Sequence, residues 1–337
     1  MQILLHFHAL KLKHHFRIAH DARTEQPTLI VELTDGQHSG YGEATTNKYY
    51  GITYANMEAA LLKVQEKLQN YQLETPQQMW EDFKEFFTDN PFAQCALDQA
   101  TYDLYGRRVG KPLYQIWGLD LRQMPTTNYT IGIDTVENMV KKMQEFPWDL
   151  YKIKLGTPDD LQIVRELRKA EPNATFRVDA NCAWTAPQTV QFAPELKKLN
   201  VEFIEQPLKA DDWDGMKAVF EHSVLPIIAD ESCIIETDVS KCYGYFHGVN
   251  IKLMKAGGLT PAYRMIQQAR KLGMKVMMGC MTESSVGISA IAHIAPMLDY
   301  VDMDGVMLIA NDTAEGVKIT RSGVNFPPRY GIGCQLL

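Results

Sequence analysis

Hydrophobic and polar positions change their spacing along the chain, and the first 120 residues show strand spacing followed by helix spacing. Apolar and polar residues alternate from Ile3 to Lys13. Two more strand-like runs, residues 28–33 and a segment that ends at Glu43, flank an Asp35-Gly36 turn, so we expect an antiparallel meander. Apolar residues then recur at helical spacing, and Thr75-Pro76 supplies an N-cap followed by a first-turn proline. Strands followed by helices predict an α+β module.

From Thr126 onward, short β-branched runs alternate with helical stretches. Asp134 with Glu137 has the pattern of a capping box, and Thr157-Pro158 and Thr260-Pro261 are cap-then-proline pairs, so each predicts the start of a helix between two runs. This alternation is typical of a parallel α/β barrel. A doubly wound open sheet is the alternative, but the sequence has neither a GxGxxG loop nor a Walker motif, which favours the barrel. The eight predicted strands cover residues 127–133, 150–155, 175–178, 201–204, 225–229, 248–251, 274–278 and 300–303.

Composition and charge restrict the classes of function. The 337 residues are 45% apolar, which is ordinary for a globular protein, and the net charge is −7. Basic residues do not cluster and no run of 18 uncharged apolar residues occurs, so we expect neither a nucleic-acid partner nor a membrane association. Six cysteines without a CxxC pair, together with an N-terminus too polar for a signal peptide, predict reduced thiols and a cytoplasmic location. A homo-oligomer is compatible with the sequence, which leaves the oligomeric state open.

Charged residues stand where the predicted barrel strands end. They occur in the order Lys154, Asp179, Glu205, Asp230 and Lys252, at spacings of 25, 26, 25 and 22 residues. One βα unit of a barrel takes about 30 residues or fewer, so each of these side chains is expected at the carboxyl end of a successive strand. Barrel enzymes place their active sites at that end.

The order of these charges suggests a chemistry. Three neighbouring carboxylates repel one another unless a cation lies among them, and oxygen ligands alone favour Mg²⁺. Lys154 and Lys252 would then face each other across the metal and could remove and return a proton beside a substrate carboxylate, through an enediolate. A lysine base needs a lowered pKa, and the metal and the neighbouring Lys152 would supply that effect. One lysine on each face predicts racemisation or epimerisation.

The motifs around these residues resemble the enolase superfamily, muconate-lactonising subgroup, over nearly the whole chain. The resemblance implies an α+β capping domain, residues 1–120 with 316–337, and a catalytic modified (β/α)7β TIM barrel, residues 121–315. It implies metal ligands at Asp179, Glu205 and Asp230 and acid/base lysines at Lys154 and Lys252, with Lys152 contacting substrate. The matching segments are Lys152-Ile153-Lys154, Arg177-Val178-Asp179-Ala180-Asn181, Ile204-Glu205-Gln206-Pro207, Ala229-Asp230-Glu231-Ser232 and Lys252-Leu253-Met254-Lys255-Ala256-Gly257-Gly258-Leu259.

Within that subgroup the sequence is most similar to the dipeptide epimerases, a group that includes L-Ala-D/L-Glu epimerase. The resemblance implies that Asp302 and Asp304 bind the substrate ammonium, with Met281 and Thr282 lining the same pocket. Members that act on Ala-Glu have an arginine in the first capping loop, and Asp21 falls at that position here, with Arg17 and Arg23 nearby. We therefore expect a dipeptide substrate whose C-terminal residue is apolar rather than acidic.

Several alternatives stay open at this stage. The same fold could carry out another reaction of the subgroup, as in an L-Ala-D/L-Glu epimerase, an N-acyl amino acid racemase, an o-succinylbenzoate synthase or a cycloisomerase. The Asp302/Asp304 pair argues against the reactions whose substrates lack an amine. A non-catalytic barrel or a Schiff-base aldolase would not need the complete set of lysines and carboxylates. We interpret His14, His15 and His20 as surface or loop residues.

Overall fold

A computed structural model describes residues 1–19 and 21–337, so His20 lies outside the described residues. The chain begins with a three-stranded antiparallel sheet in the order β1-β2-β3, as the alternating pattern predicts. The first two strands form a long hairpin that extends beyond the third. No helix in the described ranges is both long and apolar enough to cross a membrane. The strands are β1 (Gln2–Ile18), β2 (Asp21–Thr34) and β3 (Ser39–Thr45).

Five helices follow the sheet, and the fourth packs on it. Gly42 of β3 permits this contact, since a Cβ there would lie 2.0 Å from the carbonyl oxygen of Ala96. The helix that begins at Pro76 has Thr75 as its N-cap, as predicted. The helices are α1 (Tyr54–Leu62), α2 (Gln65–Gln69), α3 (Pro76–Phe83), α4 (Pro91–Arg108) and α5 (Leu113–Ile116), with 3-10 turns at Lys84–Phe87 and Leu121–Gln123.

Eight parallel strands form the second part of the molecule, and each lies in or overlaps one of the predicted runs. They pair in sequence order, and an isolated parallel bridge between Thr127 and Val301 joins the last strand to the segment just before the first. The barrel prediction is therefore confirmed. The strands are β4 (Tyr129–Ile131), β5 (Leu150–Lys154), β6 (Thr175–Asp179), β7 (Val201–Glu205), β8 (Ile227–Ala229), β9 (Gly248–Lys252), β10 (Lys275–Gly279) and β11 (Tyr300–Val301).

Helices connect these strands and surround the barrel. They are α6 (Val136–Glu145), α7 (Asp160–Ala170), α8 (Ala186–Lys198), α9 (Trp213–His222), α10 (Glu236–Cys242), α11 (Leu253–Ala256), α12 (Leu259–Lys271), α13 (Ser285–Ile294) and α14 (Gly305–Leu308), with a 3-10 turn at Ala295–Met297. Short strands complete the chain: β12 (Ala314–Glu315), β13 (Lys318–Thr320), β14 (Gly323–Asn325) and β15 (Gln335–Leu336).

Three predicted helix starts were wrong by one or two residues. The N-cap of α6 is Thr135 rather than Asp134, because the Thr135 side chain accepts from the backbone N–H of Asn138 while Asp134 pairs with Lys142. Asp159 rather than Thr157 precedes α7. Gly258 precedes α12, since Thr260 is already helical and bonds to Asp98. For α12, a contact outside the local motif decides where the helix begins, because Asp98 lies 162 residues away from Thr260.

The C-terminal tail packs against the N-terminal module, as its composition suggests. Asp103 of α4 accepts the backbone N–H of Ile332, and the backbone N–H of Leu113 donates to Gly331. Ile332 is fully buried. The exact limits of the two domains stay a prediction.

Candidate active site

Three carboxylates meet at the carboxyl end of the barrel. Asp179 and Glu205 are the last residues of β6 and β7 and pair in register, and Asp230 follows β8 directly. One carboxylate oxygen from each lies within 4.8 Å of the others, and all three side chains are buried. The strand-end spacing therefore brings these residues together as the sequence led us to expect.

Two lysines flank the three carboxylates on opposite sides. Lys154 ends β5 and its Nζ lies 2.6 Å from Asp179 Oδ2. Lys252 ends β9 and its Nζ lies 2.7 Å from Asp230 Oδ2. Burial lowers the pKa of Lys252, but Asp230 and the other carboxylates outweigh it, so the pKa is raised well above its ordinary value. A base at this position needs a cation to neutralise those carboxylates.

Lys152 lies deeper in the barrel than the two flanking lysines. Its Nζ is 2.8 Å from Glu205 Oε2, 3.0 Å from Asp302 Oδ2 and 3.3 Å from Asp179 Oδ2. Burial lowers the pKa of Lys152, but the three carboxylates raise it by more, so the net pKa lies well above its ordinary value and the side chain is protonated. It joins the carboxylate trio to Asp302 rather than serving only as a neighbour of Lys154.

The pKa directions of the trio follow from these lysines. Burial opposes ionisation of Asp179 and Asp230, but the lysines outweigh it and hold both pKa values below the usual range. Burial and the charge of Asp179 raise the pKa of Glu205. Glu205 is fully buried, with Lys152 Nζ 2.8 Å from Oε2 and Asn250 Nδ2 donating to Oε1 at 2.8 Å. Three clustered buried carboxylates, which offer oxygen ligands alone, fit a hard divalent cation such as Mg²⁺.

Asp230 is also held by two residues to which the sequence reading gave no role. Lys255 is fully buried, and its Nζ donates to Asp230 Oδ1, to the Asp230 carbonyl and to the Cys233 carbonyl. Gln206 has a φ of +32° and its Oε1 accepts the backbone N–H groups of Asp230 and Ser232. Both residues lie in segments that match the family motifs. The signal that could have identified Lys255 is a charged residue among apolar ones just after a barrel strand.

A second carboxylate pair lies beyond Lys152, on the segment after β11. Asp302 accepts from Lys152 and from Asn128 Nδ2, and Asp304 accepts the backbone N–H of Thr130. Burial raises the pKa of Asp302 but Lys152 lowers it to about 2, whereas burial and Asp302 raise the pKa of Asp304 well above its usual range. These two buried carboxyl groups offer oxygen acceptors suited to one ammonium group.

One cavity of about 810 Å³ is lined by Lys152, Lys154, Lys252, Asp302 and Asp304, and its lysines contact the buried carboxylate trio. Its floor contains the barrel lysines, and residues of the β1–β2 hairpin and the 47–50 loop line its outer side. Asp21 and Arg23 both line it and form an ion pair at 2.7 Å. Met281 and Thr282 line it near Asp302 and Asp304, as expected. Lining residues without a predicted substrate role include Asn181, Cys182, Lys209, Glu231 and Cys280.

This fold and site define a barrel enzyme in which three clustered buried carboxylates, a set that could hold a metal ion, lie between two lysines. Residues 134–337 match the family model described as enolase C-terminal domain-like, and residues 3–118 match the N-terminal domain of mandelate racemase / muconate lactonizing enzyme. The chain belongs to this family of the enolase superfamily. The family and fold predictions are thus confirmed.

Named relatives are dipeptide epimerases. An L-Ala-D/L-amino acid epimerase from Flavobacterium johnsoniae is 54% identical over 337 residues, which cover all of both chains. Among solved structures, a substrate-liganded L-Ala-D/L-Glu epimerase from Bacillus subtilis is 28% identical with a TM-score of 0.94, covering 99% of this chain and 98% of that one. A dipeptide epimerase from Enterococcus faecalis, complexed with Mg and L-Leu-L-Tyr, is 30% identical with a TM-score of 0.91 at the same coverage.

Proposed function

We propose that this chain is a Mg²⁺-dependent dipeptide epimerase that inverts the α-carbon of the C-terminal residue. The observation that carries the proposal is the arrangement of one cavity. It is lined by the two lysines that flank the carboxylate trio and, beyond Lys152, by a carboxylate pair suited to an ammonium group. The names of the relatives agree with this substrate class.

Asp179, Glu205 and Asp230 would hold the metal. When bound, Mg²⁺ supplies positive charge that stabilises a substrate carboxylate as negative charge develops during proton loss. Asp302 and Asp304 bind the ammonium of the first residue and so fix the dipeptide's direction in the cavity. Lys152 balances the charge of the buried carboxylates between the two ends.

Lys154 and Lys252 carry the proton transfer. One lysine removes the α-proton from one face of the substrate, and the other, as an ammonium, delivers a proton to the opposite face. The roles exchange when the other stereoisomer is the substrate. Both Nζ atoms are held by carboxylates, Asp179 and Asp230, so each lysine is aimed before substrate arrives. Burial acts to lower the pKa of Lys252, and a cation held by the carboxylates would remove the charge that opposes this effect.

For the side chain of the second residue, we propose an apolar preference with tolerance for other types. Asp21 disfavours an acidic side chain, and Tyr50 offers an aromatic surface on the same side. A second candidate, preference for Ala-Glu, has one observation in its favour, because Arg23 lines the cavity as well. Its pairing with Asp21 offsets that charge, so we favour the broader apolar assignment. We also expect a cytoplasmic enzyme, since all six cysteines are free.

The test is exchange of the α-proton in D₂O, followed by NMR and mass spectrometry, with L-Ala-L-Val, L-Ala-L-Phe, L-Ala-L-Glu and L-Ala-L-Lys. We expect Mg²⁺-dependent epimerisation that is fastest for the apolar dipeptides. Lys154→Ala and Lys252→Ala should each abolish two-way turnover, whereas Lys48→Ala at the cavity rim should retain it. Glu205→Gln should weaken Mg²⁺ binding in calorimetry. Full two-way turnover by Lys252→Ala would refute the two-base assignment, and no exchange on any dipeptide would refute the function.

A further inference from the structure

A row of buried polar side chains leads from the barrel interior to Asp302. Asn128 precedes β4 and is fully buried, and its Nδ2 lies 2.8 Å from Asp302 Oδ1. The same amide nitrogen lies 3.4 Å from Thr130 Oγ1, and the backbone N–H of Thr130 donates to Asp304. Asn128 therefore contacts Asp302 directly and is linked to Asp304 through Thr130, so it is connected to both carboxyl groups of the ammonium site.

Arg177 of β6 fixes which end of the Asn128 amide faces Asp302. Its Nη1 donates to Asn128 Oδ1 at 3.3 Å and to the Val301 carbonyl at 3.1 Å. Because a guanidinium has donors only, the Asn128 side chain must present its oxygen to Arg177 and its N–H groups to Asp302. A flipped amide would put an oxygen against the carboxylate.

Arg177 is itself fixed in place. Its Nε donates to Glu202 Oε2 at 2.8 Å, and its guanidinium lies over the rings of Phe203 and Tyr300, 5.2 and 5.0 Å from their centroids. The side chain is buried, so a shift of the guanidinium would leave buried donors without partners. The orientation of the Asn128 amide is therefore set before substrate binds.

We propose that Asn128, oriented by Arg177, is a positioning residue that aims Asp302 at the substrate ammonium and so contributes to selection of dipeptides over N-acyl amino acids. The proposal rests on the proposed function. Asp302 has two oxygens, one held by Lys152 and one by Asn128, so loss of the Asn128 contact leaves the carboxylate free to rotate about its last torsion. Rotation should weaken ammonium binding without changing the lysines that transfer the proton.

Asn250 of β9 provides a matched control on the other side of the barrel. Its Nδ2 donates to Glu205 Oε1 at 2.8 Å, and it is as fully buried as Asn128. Each asparagine thus gives one amide N–H to one buried carboxylate, but Asn128 serves the ammonium pair and Asn250 serves the metal trio. The same substitution at the two positions should have different consequences.

The experiment compares the best alanyl dipeptide of the panel above with its N-propionyl amino acid, which differs only by replacement of the amine with hydrogen. We measure KM for the dipeptide and the competitive Ki of the N-propionyl compound. In Asn128→Ala the KM should rise about tenfold, the size of effect expected for one charge-assisted hydrogen bond, while kcat and the Ki change little. Asn250→Ala should weaken Mg²⁺ binding in calorimetry and leave the ratio of KM to Ki unchanged.

Asn128→Leu is a second variant of similar shape that leaves less room for a replacement water. Circular dichroism establishes that all three variants are folded, and unchanged Mg²⁺ binding in calorimetry establishes that the metal site of the two Asn128 variants is intact. Equal weakening of both ligands in the Asn128 variants, or an unchanged KM, would overturn the positioning role. Neither result would affect the proposed function, which fails only if the wild-type enzyme exchanges no dipeptide.

Discussion

Glu283 is a buried carboxyl group between the cavity wall and the capping module. It follows Thr282, accepts the backbone N–H of Met281 and has a second oxygen, Oε2, that accepts no hydrogen bond within the described chain. Burial, reinforced by the charge of Glu43, raises its pKa to about 8, although Met281 and Lys252 act in the opposite direction and Asp302 adds to the rise. The group is therefore neutral in the folded protein at neutral pH.

This raised pKa makes stability depend on pH. In the unfolded chain a glutamate has a pKa of about 4.3, so between that value and about 8 the native state holds a proton that the unfolded state does not. The stabilising contribution is complete below the unfolded pKa and is lost as pH rises towards 8, at roughly 1.4 kcal/mol for each pH unit. We expect Glu283→Gln to lose less stability than the wild type between pH 6 and 8.

Thermal unfolding in EDTA at pH 6, 7 and 8 measures this difference. Glu85→Gln, at an exposed position, is the control and should follow the wild-type curve. Parallel curves for Glu283→Gln and the wild type would show that Glu283 ionises normally in the folded protein.

Among single residues, the sequence predicts a position in the site best where that position follows from local spacing along the chain. The two lysines and three carboxylates stand at strand ends with even spacing, and strand pairing alone places Lys154, Asp179 and Glu205 side by side. Asn128 has no such signal, because its partner Asp302 lies 174 residues away and the two meet only when the barrel closes. The sequence predicted that Asp21 repels an acidic substrate side chain, but it could not show that Asp21 forms an ion pair with Arg23. That contact depends on how the β1–β2 hairpin places the two side chains.

At the scale of elements, two barrel helices begin against carboxylates of the capping module. Asp98 of α4 accepts the backbone N–H and the hydroxyl of Thr260 at the start of α12. Glu43 of β3 accepts the backbone N–H groups of Ser284 and Gly287 at the start of α13. A helix N-terminus carries unpaired N–H donors and partial positive charge, so each carboxylate both caps a helix and joins two parts of the molecule.

These contacts explain why local motifs misplaced a helix start. Thr260-Pro261 has the pattern of a cap and a first-turn proline. Asp98 provides the cap instead, so the helix begins at Leu259 and Thr260 is its second residue. The eight strands were easier to predict, because each lies in a short run rich in β-branched and apolar residues between helical stretches, and this local pattern needs no distant partner to be recognised.

Gly258 should be far more sensitive to substitution than Gly273 at the other end of α12. Both have positive φ, +125° and +71°, but a Cβ on Gly258 would lie 2.3 Å from Asp98 Oδ2, whereas nothing lies within 4 Å of one on Gly273. Gly273→Ala should cost about 1–2 kcal/mol, the usual penalty for a left-handed residue. Gly258→Ala should lower the free energy of unfolding by about 1–3 kcal/mol more than Gly273→Ala does, because it also displaces the Asp98 cap.

Urea unfolding of the two variants measures the difference in free energy of unfolding. The two glycines lie at the two ends of one helix, so general effects on α12 are common to both. Equal losses would mean that the contact between Asp98 and α12 contributes nothing to stability.

At the scale of the whole molecule, buried polar contacts join the capping module, the barrel and the tail. Glu43 and Asp98 hold barrel helices, and Asp103 accepts the backbone N–H groups of Ile332 in the tail and of Tyr41 in the cap sheet. The cavity itself has walls from both sides, Phe16 and Ile18 from the hairpin and the lysines from the barrel. Separation of the modules would therefore expose buried carboxylates and open the site, so we expect them to unfold together.

The tail offers a test of this coupling with two matched substitutions. Ile332 is fully buried and its backbone N–H donates to Asp103 of α4, whereas Leu337, five residues later, is 80% exposed. Ile332→Ala should cost about 2–5 kcal/mol and Leu337→Ala almost nothing. Because the modules are coupled, Ile332→Ala should speed the slowest hydrogen exchange in β2 of the cap and in β6 of the barrel by the same factor, as measured by mass spectrometry. Faster exchange confined to the tail and α4 would show that the cap and the barrel open independently, and that the cavity between them does not depend on a single cooperative fold.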